Sequence, residues 1–425
     1  MKQGLARLAY GALLRLATPL YLLRLWRRGA AEPLYRRFLG ERLGLYKAPA
    51  GGQGWLWIHA VSLGETRAAA ALIAELRRLR PGLRLLLTHS TATGRETGLG
   101  LLEAGDAQAW LPYDTPGAVR RFLAHWKPAL GVLMETEIWP NLQQETARAG
   151  VPMVLANARL SARSQRRGER FAALLRPAAQ SLALALAQTE ADAARLRASG
   201  VAAVRVVGNL KYDLQPDAAL LARGQAWREH LGRPVLLAAV TREGEEALLL
   251  EAWQQRPGSE RPLLLVVPRH PQRFDEVAAL LQAAGLRLAR RSRWQDLPPE
   301  EALAADAWLG DSMREMALYY GLADAALLGG SFAPLGGQNL IEAAACGCPI
   351  VMGPHTFNFA EAAELAEAAG AALRVPDMSA GLDEALALCA QPERRAAIAG
   401  RAQAFAAEHR GAAARMAQAI LALVR

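Results

Sequence analysis

Cysteine is nearly missing from this chain: Cys346, Cys348 and Cys389 are the only three. An odd, sparse set without CxxC spacing argues against a disulfide framework or a cysteine zinc site and fits a reducing compartment. Lysine is almost as scarce. Only Lys2, Lys47, Lys127 and Lys211 occur among 50 basic residues, so arginine carries the positive charge. No DxD pair and no other metal-ligand spacing of acidic residues is present, and no metal is expected. The chain also lacks a long apolar run free of charge. Its most apolar stretch near the amino terminus, 5–26, is interrupted by Arg7, Arg15 and Arg24. Arginine is costly at a bilayer centre, which disfavours a spanning helix, and no small-residue cleavage site follows to suggest a signal peptide.

What is present suits two cores. With 425 residues and 52% apolar composition, two domains of roughly 200 residues each are expected. The charge is unevenly placed. In the first 47 residues ten basic residues stand against Glu32 and Glu41, so this segment holds +8 of the total +10. A basic skin over the whole surface would suit nucleic acid, whereas a local excess beside an apolar helix suits an anionic bilayer. The stretch reads as a helix lying in the membrane interface and ending on Trp26, Arg27 and Arg28, the alternative being a core helix of the first domain. A nucleic-acid partner would need a basic groove interleaved with exposed aromatics and is not expected.

From Trp55 onward, short apolar runs alternate with longer amphipathic segments rich in Ala, Leu and Arg, the βα alternation of a parallel sheet covered on both faces. Expected strands are 55–60, 83–88, 108–111, 130–134, 152–156, 184–187 and 204–207 in the first half. After a polar stretch at 213–217 come 235–239, 263–267, 307–310, 325–328 and 349–352. The reading is an α/β chain of three parts: a membrane-associated helical segment over 1–47, a Rossmann-like domain over 48–212, and a second one over 213–425. The final helical segment, 393–425, is placed to cross back to the first domain.

Loops leaving the carboxyl ends of strands in such sheets point into the ligand crevice. IHAVSLGET carries Glu65 there, through Ser62 and Gly64 into a helix. Such a carboxylate can take a proton from a hydroxyl when burial or neighbours raise its pKa, although Glu in a first helical turn is also a common dipole partner. VLMETEIWPN puts Glu135 and Glu137 after a buried strand, on one face with Thr136 on the other if the extended conformation persists. They can orient a sugar or cap the turn that Trp139 and Pro140 begin. NARLSARS offers Asn157, Arg159, Ser161, Arg163 and Ser164 to an anion or to solvent. GNLKYD contains Lys211, whose compact ammonium suits a phosphate leaving group.

In the second half, LLLVVPRHPQRF places Pro268, Arg269 and His270 after a strand. Arg269 can grip a phosphate or carboxylate with two parallel hydrogen bonds, and His270 is either a ligand donor or a satisfied loop histidine. GDSMRE follows, with Met313, Arg314 and Glu315. In GGSFAPLGGQNLIEAAA, Gly329, Gly330, Gly336 and Gly337 permit close backbone approach, and the next helix can offer its amino terminus to a phosphate. Glu342, expected in that helix's second turn, shares a face with Asn339 and can accept both hydroxyls of a ribose.

In order, SLGET, LPYDTP, METEIWPN, NARLSARS, GNLKYD, EGEE, VPRHPQRF, GDSM, GGSFAPLGGQNLIEAAA and MGPHTFNF resemble the bacterial 3-deoxy-D-manno-octulosonic acid (Kdo) transferases across nearly the whole chain. Each segment is weak alone; their number and order carry the match. The resemblance implies a GT-B-like architecture, two Rossmann-like domains facing across a cleft. It also implies an inverting, metal-independent glycosyltransferase that moves Kdo from CMP-Kdo to the lipid A precursor (lipid IVA) in lipopolysaccharide biosynthesis. CMP-Kdo is then a donor substrate, with no cofactor, and the partners are the lipid A precursor and the cytoplasmic face of the inner membrane. By the same resemblance Glu65 is the general base, Glu135 and Lys211 stabilise the transition state, and Pro268, Arg269, Met313, Arg314, Glu315, Asn339, Leu340, Ile341 and Glu342 bind CMP.

Some positions depart from the family pattern. Val240, Thr241 and Arg242 stand where Ser, Thr and His commonly precede EGEE, Arg314 takes a place usually held by glycine, and Gln338 and Leu340 replace a His and a Pro around Asn339. A one-phosphate donor still suits arginines and helix amino termini in place of a metal. The rival reading is a soluble nucleotide-sugar epimerase or a UDP-sugar transferase, for which the amino-terminal segment would be expendable and uridine diphosphate preferred.

Overall fold

The computed structural model describes residues 2–47, 52, 54–213, 215–256 and 261–424, so the expected boundary at 47/48 abuts residues outside that set. The chain divides into two compact units, Met1–Asp213 with Arg410–Arg425, and Leu214–His409. The last helix is therefore part of the first unit, and residues 1–47 are not a unit of their own.

The first unit is built on seven parallel strands: β1 (Trp55–His59), β2 (Leu85–His89), β3 (Ala107–Trp110), β4 (Pro128–Met134), β5 (Met153–Ala158), β6 (Leu184–Ala187) and β7 (Val204–Val206). Their order is β3-β2-β1-β4-β5-β6-β7. Helices cover both faces, so all five residues of β1 are buried and its side chains divide by alternation. Leu56 and Ile58 join Leu72, Leu76 and Val132 on one face; Trp57 joins Phe122, Leu133 and Leu155 on the other. Strand order reverses between β1 and β4, and ligand crevices in doubly wound sheets form outside the carboxyl ends of such a pair.

Met416 and Ile420 of the final helix, Ala412–Leu421, complete the first of these clusters. The segment expected as one helix is two, Pro392–Glu408 and Ala412–Leu421. Gly411 between them is left-handed at φ 88°, and the Asp213 carboxylate accepts the Gly411 and Ala413 amides that the new helix start leaves unpaired.

Residues after the first helix, α1 (Lys2–Arg28), also belong to the first unit. Tyr35 is buried and stacks on Trp110, and buried Arg42 lies 4.2 Å over the same ring while donating to the Ser90 carbonyl at 3.1 Å. One side of α1 is held by the Tyr10 hydroxyl on Asp114 and by Gly11 against Pro116 and Asn141. Another is bare: Leu5, Leu8, Leu16 and Leu20 are each at least 70% exposed. Among the described residues no helix is long and apolar enough to cross a membrane.

The second unit repeats the plan with β8 (Val235–Thr241), β9 (Leu263–Pro268), β10 (Leu288–Arg290), β11 (Ala307–Leu309), β12 (Ala325–Leu328), β13 (Ile350–Met352) and β14 (Ala372–Arg374). All run parallel in the order β10-β11-β9-β8-β12-β13-β14, with the reversal between β8 and β12. The sequence reading missed β10 and β14. Both are three-residue edge strands, mostly half-buried, too short to show a period.

Removing the Asp213 cap tests how the last helix is held. Asp213→Ala should lower the local opening free energy of Ala412–Leu421 by roughly 1–2 kcal/mol, seen as faster amide exchange there; unchanged exchange would show that the cap contributes nothing.

Candidate active site

The loops after β1 and β4, and that after β12, carry part of the residues that the motifs single out to the two switch points. After β1 the chain turns through Val61 into α2 (Leu63–Leu79), with Ser62 as an extended N-cap whose hydroxyl faces the Glu65 amide. Glu65 closes the turn in reverse. One carboxylate oxygen accepts the Val61 amide at 2.7 Å and the other accepts the Ser62 hydroxyl at 3.2 Å. Burial raises the Glu65 pKa most, the Glu135 and Glu137 charges raise it further, and the Val61 and Ser62 bonds pull it down; the result is pushed up to about 7. A carboxyl group poised there is partly ionised at neutral pH and strong enough to take a proton.

Two histidines end the strands beside this turn, and the sequence reading did not single them out. His59 and His89 end the neighbouring strands β1 and β2 and are wholly buried. Desolvation pushes their pKa values down, to about 3 and about 4. His89 therefore stays neutral, with Nδ1 2.9 Å from the Ala60 carbonyl just ahead of the Glu65 turn. The matching positions of His at the ends of WLWIH and LLLTH were the available signal.

Glu135 corrects the expectation drawn from strand alternation. Extended backbone ends at Met134, and Glu135 is left-handed at φ 61°, its amide bonded to the Ala156 carbonyl. Glu137 follows with its carboxylate held by the Trp139 indole N–H. Burial raises the Glu137 pKa, Glu135 adds to the rise, and the indole bond opposes it. The three carboxylates thus act on one another, but through a turn and not through a shared strand face.

LPYDTP supports the same turn from below. The Asp114 carboxylate accepts the Asn141 and Leu142 amides at 3.1 and 2.6 Å, capping the helix Pro140–Arg148 that METEIWPN begins. Lys211 stands in a 3-10 turn, Leu210–Asp213, tied to the ends of β5 and β6. The Asn157 side chain accepts the Leu210 amide, Gln188 donates to the Asn157 carbonyl, Asn209 donates to Gln188, and the Lys211 amide donates to Asn209. Arg159, Ser161, Arg163 and Ser164 are exposed, with Ser161 capping its own helix.

In the second unit, Pro268 ends β9 and is buried, and the Arg269 amide bonds to the Thr241 carbonyl while its side chain is exposed. Met313 and Arg314 are exposed, and Arg314 is left-handed at φ 66°, a backbone state that glycine adopts without strain. Glu315 is engaged by Arg291 at 2.8 Å and by the Ser312 hydroxyl. Asn339 caps the short helix Leu340–Ala345 through the Ile341 amide at 3.1 Å. Leu340 and Ile341 pack inward, so their side chains serve the core. Glu342 lies in the first turn of that helix, not the second, because the helix starts only at Leu340. Among the described residues no three His, Cys, Asp or Glu side chains converge as a metal site.

Residues 37–214 match the family described as 3-Deoxy-D-manno-octulosonic-acid transferase (kdotransferase). The 3-deoxy-D-manno-octulosonic acid transferase of Bordetella pertussis is 49% identical over 428 residues, covering 98% of this chain and 99% of that protein. The chain belongs to the Kdo transferase family. It is a glycosyltransferase. The Haemophilus influenzae Kdo transferase is 35% identical over 96% of this chain and 97% of its own. In fold alone the chain is similar to a UDP-GlcNAc 2-epimerase from Neisseria meningitidis, with a TM-score of 0.55 and 16% identity over 87% of this chain and 99% of that one.

In this Kdo transferase family member, Glu137→Gln removes one of the negative charges that raise Glu65. The acidic limb of the kcat profile should move to lower pH; a limb that stays in place would show that Glu137 does not act on Glu65.

Proposed function

We propose that the protein transfers Kdo from CMP-Kdo to the lipid A precursor in lipopolysaccharide biosynthesis, with inversion and without a metal, and that Glu65 is the general base. The observation that most supports this reading is the Glu65 carboxyl, pushed up to about 7 at the switch point of the first sheet. In the proposed step Glu65 takes the proton of an acceptor hydroxyl as that oxygen bonds to the anomeric carbon of Kdo. The bond from that carbon to the CMP phosphate breaks with its electron pair staying on phosphate. A single displacement of this kind inverts the centre. Positive charge develops on the sugar ring as CMP leaves, and a carboxylate such as Glu135 can offset it, while an ammonium such as that of Lys211 suits the phosphate that departs.

Pro268, Arg269, Met313, Arg314, Glu315, Asn339, Leu340, Ile341 and Glu342 are proposed to form the CMP site, Leu340 and Ile341 through their backbone. The acceptor is a lipid, and α1 offers it a surface. The exposed Leu5, Leu8, Leu16 and Leu20, with Trp26, Arg27 and Arg28 at the helix end, suit a helix lying on the anionic cytoplasmic face of the inner membrane.

Incubation of the purified protein with CMP-Kdo and tetraacylated lipid A precursor should add Kdo by mass. Glu65→Gln should lower turnover by roughly 100-fold or more while CMP affinity holds; near-normal turnover would remove Glu65 as the base. Replacing Leu16 and Leu20 by Asp should release the protein from anionic vesicles in flotation, each change weakening binding by roughly tenfold. Undiminished flotation would take α1 out of membrane contact.

A further inference from the structure

We propose that Glu245 is a positioning residue of the donor site: its buried carboxylate shapes the crevice at the β8/β12 switch point by occupying the backbone amides that converge there. The inference rests on the second unit being the CMP-binding unit. Glu245 belongs to EGEE, a motif to which neither the base nor the proposed CMP contacts give a role. It is 1% exposed and begins the helix Glu245–Gln254 after Gly244. One carboxylate oxygen accepts the Gly330 amide at 2.7 Å and the Arg242 amide at 2.9 Å. The other accepts the Phe332 and Ala333 amides at 3.1 and 3.4 Å.

These amides come from the two loops that leave β8 and β12, neighbouring strands with Ala239 beside Leu328. The loops are drawn close. A Cβ on Gly329 would stand 2.3 Å from the Val240 carbonyl, and Val240 is itself left-handed at φ 58°, an uncommon state for a β-branched residue. Burial raises the Glu245 pKa and the four amide bonds oppose that rise by favouring the anion; bonds of this kind to a carboxylate are strong, so Glu245 can hold both loops in this shape.

Convergent amides in a glycine-rich turn form a nest for an anion. Here the protein's own carboxylate fills it, so the donor phosphate must be received elsewhere. Glu246 does the same to a side chain. It grips Arg273 of VPRHPQRF at 2.8 and 3.0 Å and accepts the Thr241 hydroxyl at 2.6 Å. Arg269 and Arg314 have no ion pair among the described residues. The adjacent carboxylates thus sort the positive groups around the crevice, taking the amide nest and Arg273 and leaving Arg269 and Arg314 for an anionic ligand.

The test is CMP binding by calorimetry and steady-state transfer, with the full-length protein and Glu245→Gln. A glutamine offers one oxygen and turns an NH2 toward amides that need acceptors. CMP affinity and KM for CMP-Kdo should worsen by about tenfold or more, with kcat at saturating donor little changed. CMP affinity equal to that of the unsubstituted protein in a folded Glu245→Gln variant would overturn the proposal and leave Glu245 a stability role alone. Failure of the unsubstituted protein to bind CMP would instead overturn the donor reading on which the proposal stands. Should the variant not fold, amide exchange in the unsubstituted protein decides. Gly330, Phe332 and Ala333 should exchange slowly before CMP is added; fast exchange that slows only with CMP would make them the phosphate cradle and overturn the proposal.

Discussion

A carboxylate tied into its own loop cannot swing away from its neighbours, and Glu65 is tied twice, by the Val61 amide and the Ser62 hydroxyl. Those bonds favour its anion. Burial and the charges of Glu135 and Glu137 favour the acid, and the opposing effects leave it pushed up to about 7. Much of the first unit serves to keep that balance. His89 stays neutral beside the turn, so its imidazole adds no positive charge there. Asp114 caps the helix that follows Glu137, and the Asn157, Gln188 and Asn209 amides hold the turn that carries Lys211.

The two units use one doubly wound plan, with different strand orders, for different ends. Each has a seven-stranded parallel sheet whose order reverses at a central pair, and each presents a glutamate beside that reversal. Glu65 is half-buried and keeps a pKa near neutrality. Glu245 is wholly buried and meets four amides. Exposure and hydrogen bonding, not residue type, separate a carboxylate that can exchange a proton from one that shapes a loop.

Most strands were legible because buried parallel strands are apolar runs bounded by turn residues. β10 and β14 were not, since an edge strand of three residues buries too little to leave a pattern. Glu65 was legible as a motif at the end of a strand. The turn at Glu135 was not, because a left-handed non-glycine residue breaks the alternation without any sign in its identity. The role of EGEE was equally hidden: three of the four amides that Glu245 meets lie 85 to 88 positions away in sequence. Likewise Gly411 suggested little until Asp213, nearly 200 residues earlier, was found capping the helix after it.

Proton transfer to Glu65 turns on the protonation state of one side chain, which can be observed without turnover. Infrared titration of the protein, with the Glu65 carboxyl band assigned by its loss in Glu65→Gln, should give a midpoint near 7. A midpoint in the ordinary range of an exposed glutamate, roughly 4.3, would contradict it, since the group would then be too weak a base for the role the structure supports.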